Sequence, residues 1–110
     1  MGGNIKLGIV IYSNETETVW NAFRLGVFSC KAGDTVSVFL LGNGVEAESI
    51  DSTKFDVTGQ MHSFMELGGT ILACGTCLKI RHLEGSEICP VSTMQDLHAL
   101  IRDSDKVLTF

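Results

Sequence analysis

The feature that most constrains this chain is a set of short, nearly unbroken apolar runs: Ile5 to Tyr12, Thr35 to Leu41 and Thr70 to Cys74. A strand with one wet face alternates apolar and polar residues, whereas a strand covered on both faces reads as a continuous run. Between the first two runs, Val19, Phe23, Val27 and Cys30 recur at helical spacing. Strands separated by helices pair in parallel through right-handed crossovers.

Turn and cap residues divide the rest of the chain. Ser13-Asn14-Glu15-Thr16-Glu17 supplies capping side chains and acids for the first helix, and Ala32-Gly33-Asp34 stops it. Gly42-Asn43-Gly44 ends the second strand, with a short helix expected from Val45 to Ile50. Met61, Phe64, Met65 and Leu67 predict another helix, closed by Gly68-Gly69. Gly75-Thr76 turns into a helix carrying Cys77, Leu78, Ile80 and Arg81. Glu87 to Val91 reads as a short extended segment, and Ser92-Thr93 caps a helix with Met94, Leu97, Leu100 and Ile101. Asp105 to Phe110 closes the chain as a strand. The order is βαβαβα(β)αβ: an α/β fold with a mainly parallel, roughly five-stranded sheet in one domain spanning residues 1–110.

Charge and hydropathy exclude several roles. A net charge of −5 argues against a nucleic-acid binder, which needs a basic face to displace counterions. It argues equally against docking on anionic lipid. No apolar run approaches the roughly 20 residues that span a bilayer. Met1-Gly2-Gly3-Asn4 leads into the first strand without a basic region, so no signal peptide is expected. These observations predict a cytoplasmic, reducing setting, in which the four cysteines are thiols and not a disulfide scaffold.

Ligands of open parallel sheets bind beyond the carboxyl ends of the strands. Three junctions converge there: Ser13-Asn14, Gly42-Asn43-Gly44 and Cys74-Gly75-Thr76-Cys77. The third carries the chemistry, because the thiolate is the reactive form of cysteine and free N–H groups at a helix start favour it. Arg81, four residues after Cys77, adds a positive charge on the same helical face. Cys74, Cys77 and Arg81 with Ser13, Asn14, Gly42, Asn43, Gly44, Gly75 and Thr76 make up the expected site.

Other residues read more plainly. Cys30 lies on an apolar helix stripe and Cys89 precedes Pro90 in a short extended segment, so both suit packing, where apolar surroundings raise a thiol pKa and slow its reaction. Of His62, His82 and His98, only His62 is retained as a pocket candidate. Gly42-x-Gly44 lacks the rest of a dinucleotide fingerprint. One C-x-x-C without a second pair does not make a zinc site, so no metal and no cofactor are expected.

The chain resembles the DsrE/DsrF-like (DsrEFH) sulfurtransferases, a sulfur-relay family. The resemblance runs from the opening strand Lys6–Tyr12 through Leu41-Gly42-Asn43-Gly44-Val45 to the closing Ser104–Phe110. Its most specific block is Gly68-Gly69-Thr70-Ile71-Leu72-Ala73-Cys74-Gly75-Thr76-Cys77-Leu78-Lys79-Ile80-Arg81. The resemblance implies a three-layer sandwich. It also implies a persulfide on Cys74, at the end of the third strand, passed between proteins as sulfane sulfur, whereas Cys77 matches a cysteine of one branch only. Sulfur-donor and sulfur-acceptor proteins or low-molecular-weight persulfides are the implied partners, in homotrimers or homohexamers. Trp20, Phe28, Met61 and Met65, lying beyond one obvious stripe, are expected to form a further buried face of that assembly.

Three functions therefore stand open at the level of sequence: a sulfur carrier or transferase, a dithiol oxidoreductase using Cys74 and Cys77, and a non-catalytic ligand-binding or assembly subunit. For the first, Cys74 is expected to be the accessible, attacking thiol. Cys77, a helical turn later, is expected to point partly into the domain, and resolution of the persulfide into a Cys74–Cys77 disulfide stands as an open alternative.

Overall fold

The structure, a computed structural model, describes residues 4–110; Met1 to Gly3, on which the signal-peptide expectation partly rests, lie outside the described residues. Five strands form one parallel sheet: β1 (Lys6–Ile11), β2 (Thr35–Leu40), β3 (Thr70–Cys74), β4 (Val91–Ser92) and β5 (Lys106–Thr109), in the order β4-β3-β2-β1-β5. The long strands are the apolar runs. The interior residues of β1 and β2 are almost all buried on both faces, as unbroken apolar strands require. Among the described residues, no helix is long and apolar enough to cross a membrane.

Helices cover the two faces unequally. On one side lie α1 (Thr16–Lys31) and α2 (Val57–Glu66), packed through the edge-to-face pair Phe23 and Phe64, whose centroids are 5.9 Å apart. Gly26 of α1 lies against Phe64 and Ile9, where a β-carbon would come within 3.0 Å of the Phe64 ring. On the other side α4 (Met94–Asp103) crosses β1 so closely that a β-carbon on Gly8 would stand 2.6 Å from Leu100 and 2.7 Å from the Ser104 hydroxyl. The α4 start is held by a capping box in which Thr93 accepts from the Asp96 N–H. The connections reverse direction between β4 and β5, which puts α4 on the face opposite α1 and α2.

Several boundaries differ from the sequence reading. The segment after β2 is a 3-10 helix over Gly42–Ser49. The helix expected to begin near Met61 starts at Val57, so Val57, Met61 and Phe64 make one buried stripe at i, i+4 and i+7. Met61 is thus part of the domain core and does not belong to a further apolar face; Trp20 and Met65 are half-buried against that core, and Phe28 alone of the four is exposed, at 71%. Of the expected extended segment Glu87–Val91 only Val91 lies in β4, which continues into Ser92, a residue the sequence assigns to the helix cap.

The turn after β2 depends on two glycines for different reasons. Gly42 has φ +56° with open space around it, so only its backbone conformation is special. Gly44 is buried against the carbonyl of Ile11, and a β-carbon there would collide with the β1 backbone. Gly44→Ala should therefore lower the unfolding free energy by about 2 kcal/mol or more, because backbone cannot rotate away from an overpacked atom. Gly42→Ala should cost about 1–2 kcal/mol, the penalty of a left-handed non-glycine residue. Urea unfolding of the two variants tests this, and a larger loss for Gly42→Ala would contradict it.

Candidate functional site

The parallel register brings three strand ends to one level. Ile11 pairs with Leu40 and Leu40 with Ala73, so the segments that follow them leave the sheet side by side. The Leu41 N–H bonds to the Ile11 carbonyl and the Gly44 N–H to the Leu41 carbonyl, which folds the 42–44 turn over the end of β1. From β3 the chain passes directly into α3 (Gly75–Ile80), with Cys74 as its N-cap.

Both thiols at this end receive a backbone N–H. The Cys77 N–H donates to Cys74 Sγ at 3.5 Å, as capping geometry demands. The Gly42 N–H, brought from the neighbouring turn, donates to Cys77 Sγ at 3.2 Å. The α3 helix has only six residues, so these individual donors matter more than its macrodipole.

Exposure reverses the division expected from sequence. Cys74 is buried, with 4% of its surface exposed, and Cys77 is only half-buried. The thiol open to solvent is thus Cys77. Cys74 ends β3 beside Ser92 of β4 and caps α3, while Cys77 lies in the first α3 turn and is partly exposed.

Arg81 also departs from its expected role. Its Nε is 2.8 Å from Glu46 Oε2, Nη2 donates to Asn43 Oδ1 at 2.6 Å, and Nη1 donates to the Cys77 carbonyl at 3.1 Å. Asn14 completes the group, donating to Glu46 Oε1 at 3.3 Å. This paired arginine clamps α3 to the 42–49 turn and offers the Cys77 sulfur only part of its charge. Burial and the adjacent Cys74 sulfur raise the Cys77 pKa above the ordinary thiol value; the Gly42 N–H and Arg81 pull it back without reversing the shift. The helix start at the C-x-x-C junction, expected to favour a thiolate, therefore does not lower the Cys77 pKa.

The remaining expected residues divide into three groups. Gly42, Asn43 and Asn14 belong to the network around Cys77 and Arg81. Ser13 accepts from the Glu15 N–H and serves the start of α1, while Gly44 is buried against the Ile11 backbone of β1. Gly75 packs closely on Val91, and Thr76 is exposed on an open groove of about 630 Å3 shared with Leu83, Val91 and Met94. His62 is exposed on α2 and bonds to none of these residues. Glu46 escaped the sequence reading, since its partner lies 35 positions away and no local pattern marks it.

The other cysteines behave as packing residues. Burial, then Asp34, pushes Cys30 up. Cys89 is buried and pushed far above the ordinary thiol range, first by burial and then by Glu48, which also accepts from the Ser86 hydroxyl at 2.6 Å. Among the described residues, no group of three or more His, Cys, Asp or Glu is placed to hold a metal ion.

Comparison with known proteins bears on this geometry. The model of the DsrE/DsrF-like family matches residues 6–110. The chain belongs to the DsrE/DsrF-like family. An uncharacterized protein of Methanocaldococcus jannaschii is 31% identical over 100 residues, covering 86% of this chain and 88% of that relative. Another from Methanopyrus kandleri is 29% identical over 103 residues, covering 86% and 83%. Among solved structures, the YchN protein of E. coli superposes with a TM-score of 0.83 at 17% identity, over 98% of this chain and 100% of its own. A conserved Bacteroides thetaiotaomicron protein of unknown function gives 0.75 at 22% identity, over 96% and 94%. At these identities the structural likeness establishes the fold, and the family match covers every residue of the thiol site.

Alkylation should follow the observed environments. With iodoacetamide at neutral pH, Cys77 should label first, ahead of Cys74, Cys30 and Cys89. Its rate should climb as pH rises past the ordinary thiol range, because only the thiolate reacts and the folded protein holds that thiol protonated longer. Arg81→Gln removes the remaining attraction, raises the Cys77 pKa further and should slow labelling at neutral pH by about two- to fivefold. Labelling of Cys74 ahead of Cys77 in the native protein would contradict the assignment of exposure.

Proposed function

We propose that this protein is a sulfur carrier that takes up and passes on sulfane sulfur as a cysteine persulfide on the Cys74–Cys77 pair. The observation that carries the reading is that two thiols sit at the carboxyl end of β3, each accepting a backbone N–H. Those donors stabilise a charged sulfur without a metal or a separate base. Family membership supports the same chemistry. Transfer is an exchange in which a thiolate attacks the outer sulfur of a donor persulfide and the donor leaves as its thiolate. The partners are sulfur-donor and sulfur-acceptor proteins or small persulfides. The working form is a homotrimer or homohexamer, a reading supported by the exposed Phe28 beside Leu25 on α1.

The C-x-x-C spacing, with Cys74 Sγ accepting the Cys77 N–H, also favours a second reading, a dithiol oxidoreductase cycling through a Cys74–Cys77 disulfide. Intact-protein mass spectrometry after incubation with glutathione persulfide separates the two. The carrier gains the mass of one sulfur atom, and the Cys74→Ser/Cys77→Ser double variant gains none. A parent that only loses two hydrogens supports the oxidoreductase, and a double variant that still gains sulfur contradicts both.

A further inference from the structure

The unequal burial of the two thiols has a direct consequence for sulfur transfer. Cys77 meets solvent, and Cys74, at 4% exposure, does not. An incoming persulfide must place its outer sulfur in line with the attacking thiolate, and access limits such exchange as strongly as ionisation does. A bulky donor, and still more a protein donor, reaches Cys77 and is kept from Cys74 by that burial. Cys74 is nonetheless in contact with Cys77 and holds an N–H donor of its own.

We infer, on the basis of the carrier reading above, that Cys77 is the port through which sulfur enters and leaves, and that Cys74 is the sheltered position where it is stored. In the first step the Cys77 thiolate attacks the outer sulfur of a donor R–S–SH. A Cys77 S–S bond forms, the donor S–S bond breaks, and R–S⁻ departs and takes up the proton that Cys77 gave up, leaving as R–SH. In the second step the Cys74 thiolate attacks the outer sulfur of the Cys77 persulfide. Cys77 leaves as a thiolate and accepts the proton from Cys74. The transferred sulfur keeps its oxidation state throughout, so neither step calls for an oxidant or a reductant.

The hydrogen bonds suit this direction of traffic. The Gly42 N–H, 3.2 Å from Cys77 Sγ, stabilises that sulfur both as attacking and as departing thiolate. The Cys77 N–H, 3.5 Å from Cys74 Sγ, serves the second step in the same way. The Cys77 N–H bond to Cys74 Sγ keeps the two thiols within one helical turn of each other, close enough to exchange the sulfur. Arg81 and Glu46 hold the 42–49 turn against α3 and so keep the Gly42 donor on its target. Sulfur on Cys74 is screened from small nucleophiles until Cys77 retrieves it by the reverse reaction.

The test is the rate of loading by glutathione persulfide and the rate of unloading by cyanide, both read by intact mass. The parent should load one sulfur and release it slowly to cyanide. Cys77→Ser should load at least about tenfold more slowly, since the port is closed. Cys77→Ala, which also removes the acceptor for the Gly42 N–H, should show the same block. Cys74→Ser should load as fast as the parent and surrender its sulfur to cyanide faster, because that sulfur remains at the exposed position. Loading of Cys77→Ser at the parental rate, or failure of Cys74→Ser to load, would overturn the assignment while leaving the carrier reading intact. A parent that takes up no sulfur would overturn the carrier reading, and this assignment with it.

Discussion

The parallel register of β1, β2 and β3 is the constraint on which the rest of the structure depends. Ile11, Leu40 and Ala73 lie at one level across the sheet, so the chain leaves all three strands from one edge. Gly44 then tucks under the Ile11 carbonyl, where no side chain fits, and draws the 42–49 turn toward α3. That approach delivers the Gly42 N–H to Cys77. A one-residue slip in β1–β2 pairing would turn buried side chains to the other face and move this donor away from its sulfur.

Arg81 shows how the fold spends charge on positioning. A free guanidinium beside Cys77 would favour the thiolate strongly. Here Glu46, Asn43 and the Cys77 carbonyl engage it, and Glu46 in turn is held below its ordinary pKa, first by that arginine and then by Asn14. The result is a rigid bridge between two loops and a Cys77 thiol that stays protonated above its ordinary range. A carrier gains from such restraint, because a thiol that is not permanently ionised resists indiscriminate oxidation while still exchanging with a positioned donor.

The strands were legible because burial on both faces leaves an unbroken apolar run, and the C-x-x-C junction was legible because parallel sheets expose their carboxyl ends. Other features depend on contacts distant in sequence. Glu46 and Arg81 are 35 positions apart, so no spacing rule couples them. The relative exposure of Cys74 and Cys77 follows from how α3 and β4 meet the end of β3, which is a tertiary property. Met61 was misplaced because α2 begins four residues earlier than its apolar pattern indicated, under the cap of Asp56. Gly44 was read with the ligand loop, yet its role is to allow two backbones to touch.

The central claim is that sulfur chemistry in this protein resides on the Cys74–Cys77 pair. A crystal structure of the protein soaked with a small persulfide tests it most directly. The account predicts an additional sulfur atom bonded to Cys74 Sγ, with Cys30 and Cys89 unmodified. Extra density on Cys30 or Cys89, or two unmodified thiols at the end of β3 in a protein shown by mass to carry the added sulfur, would contradict it.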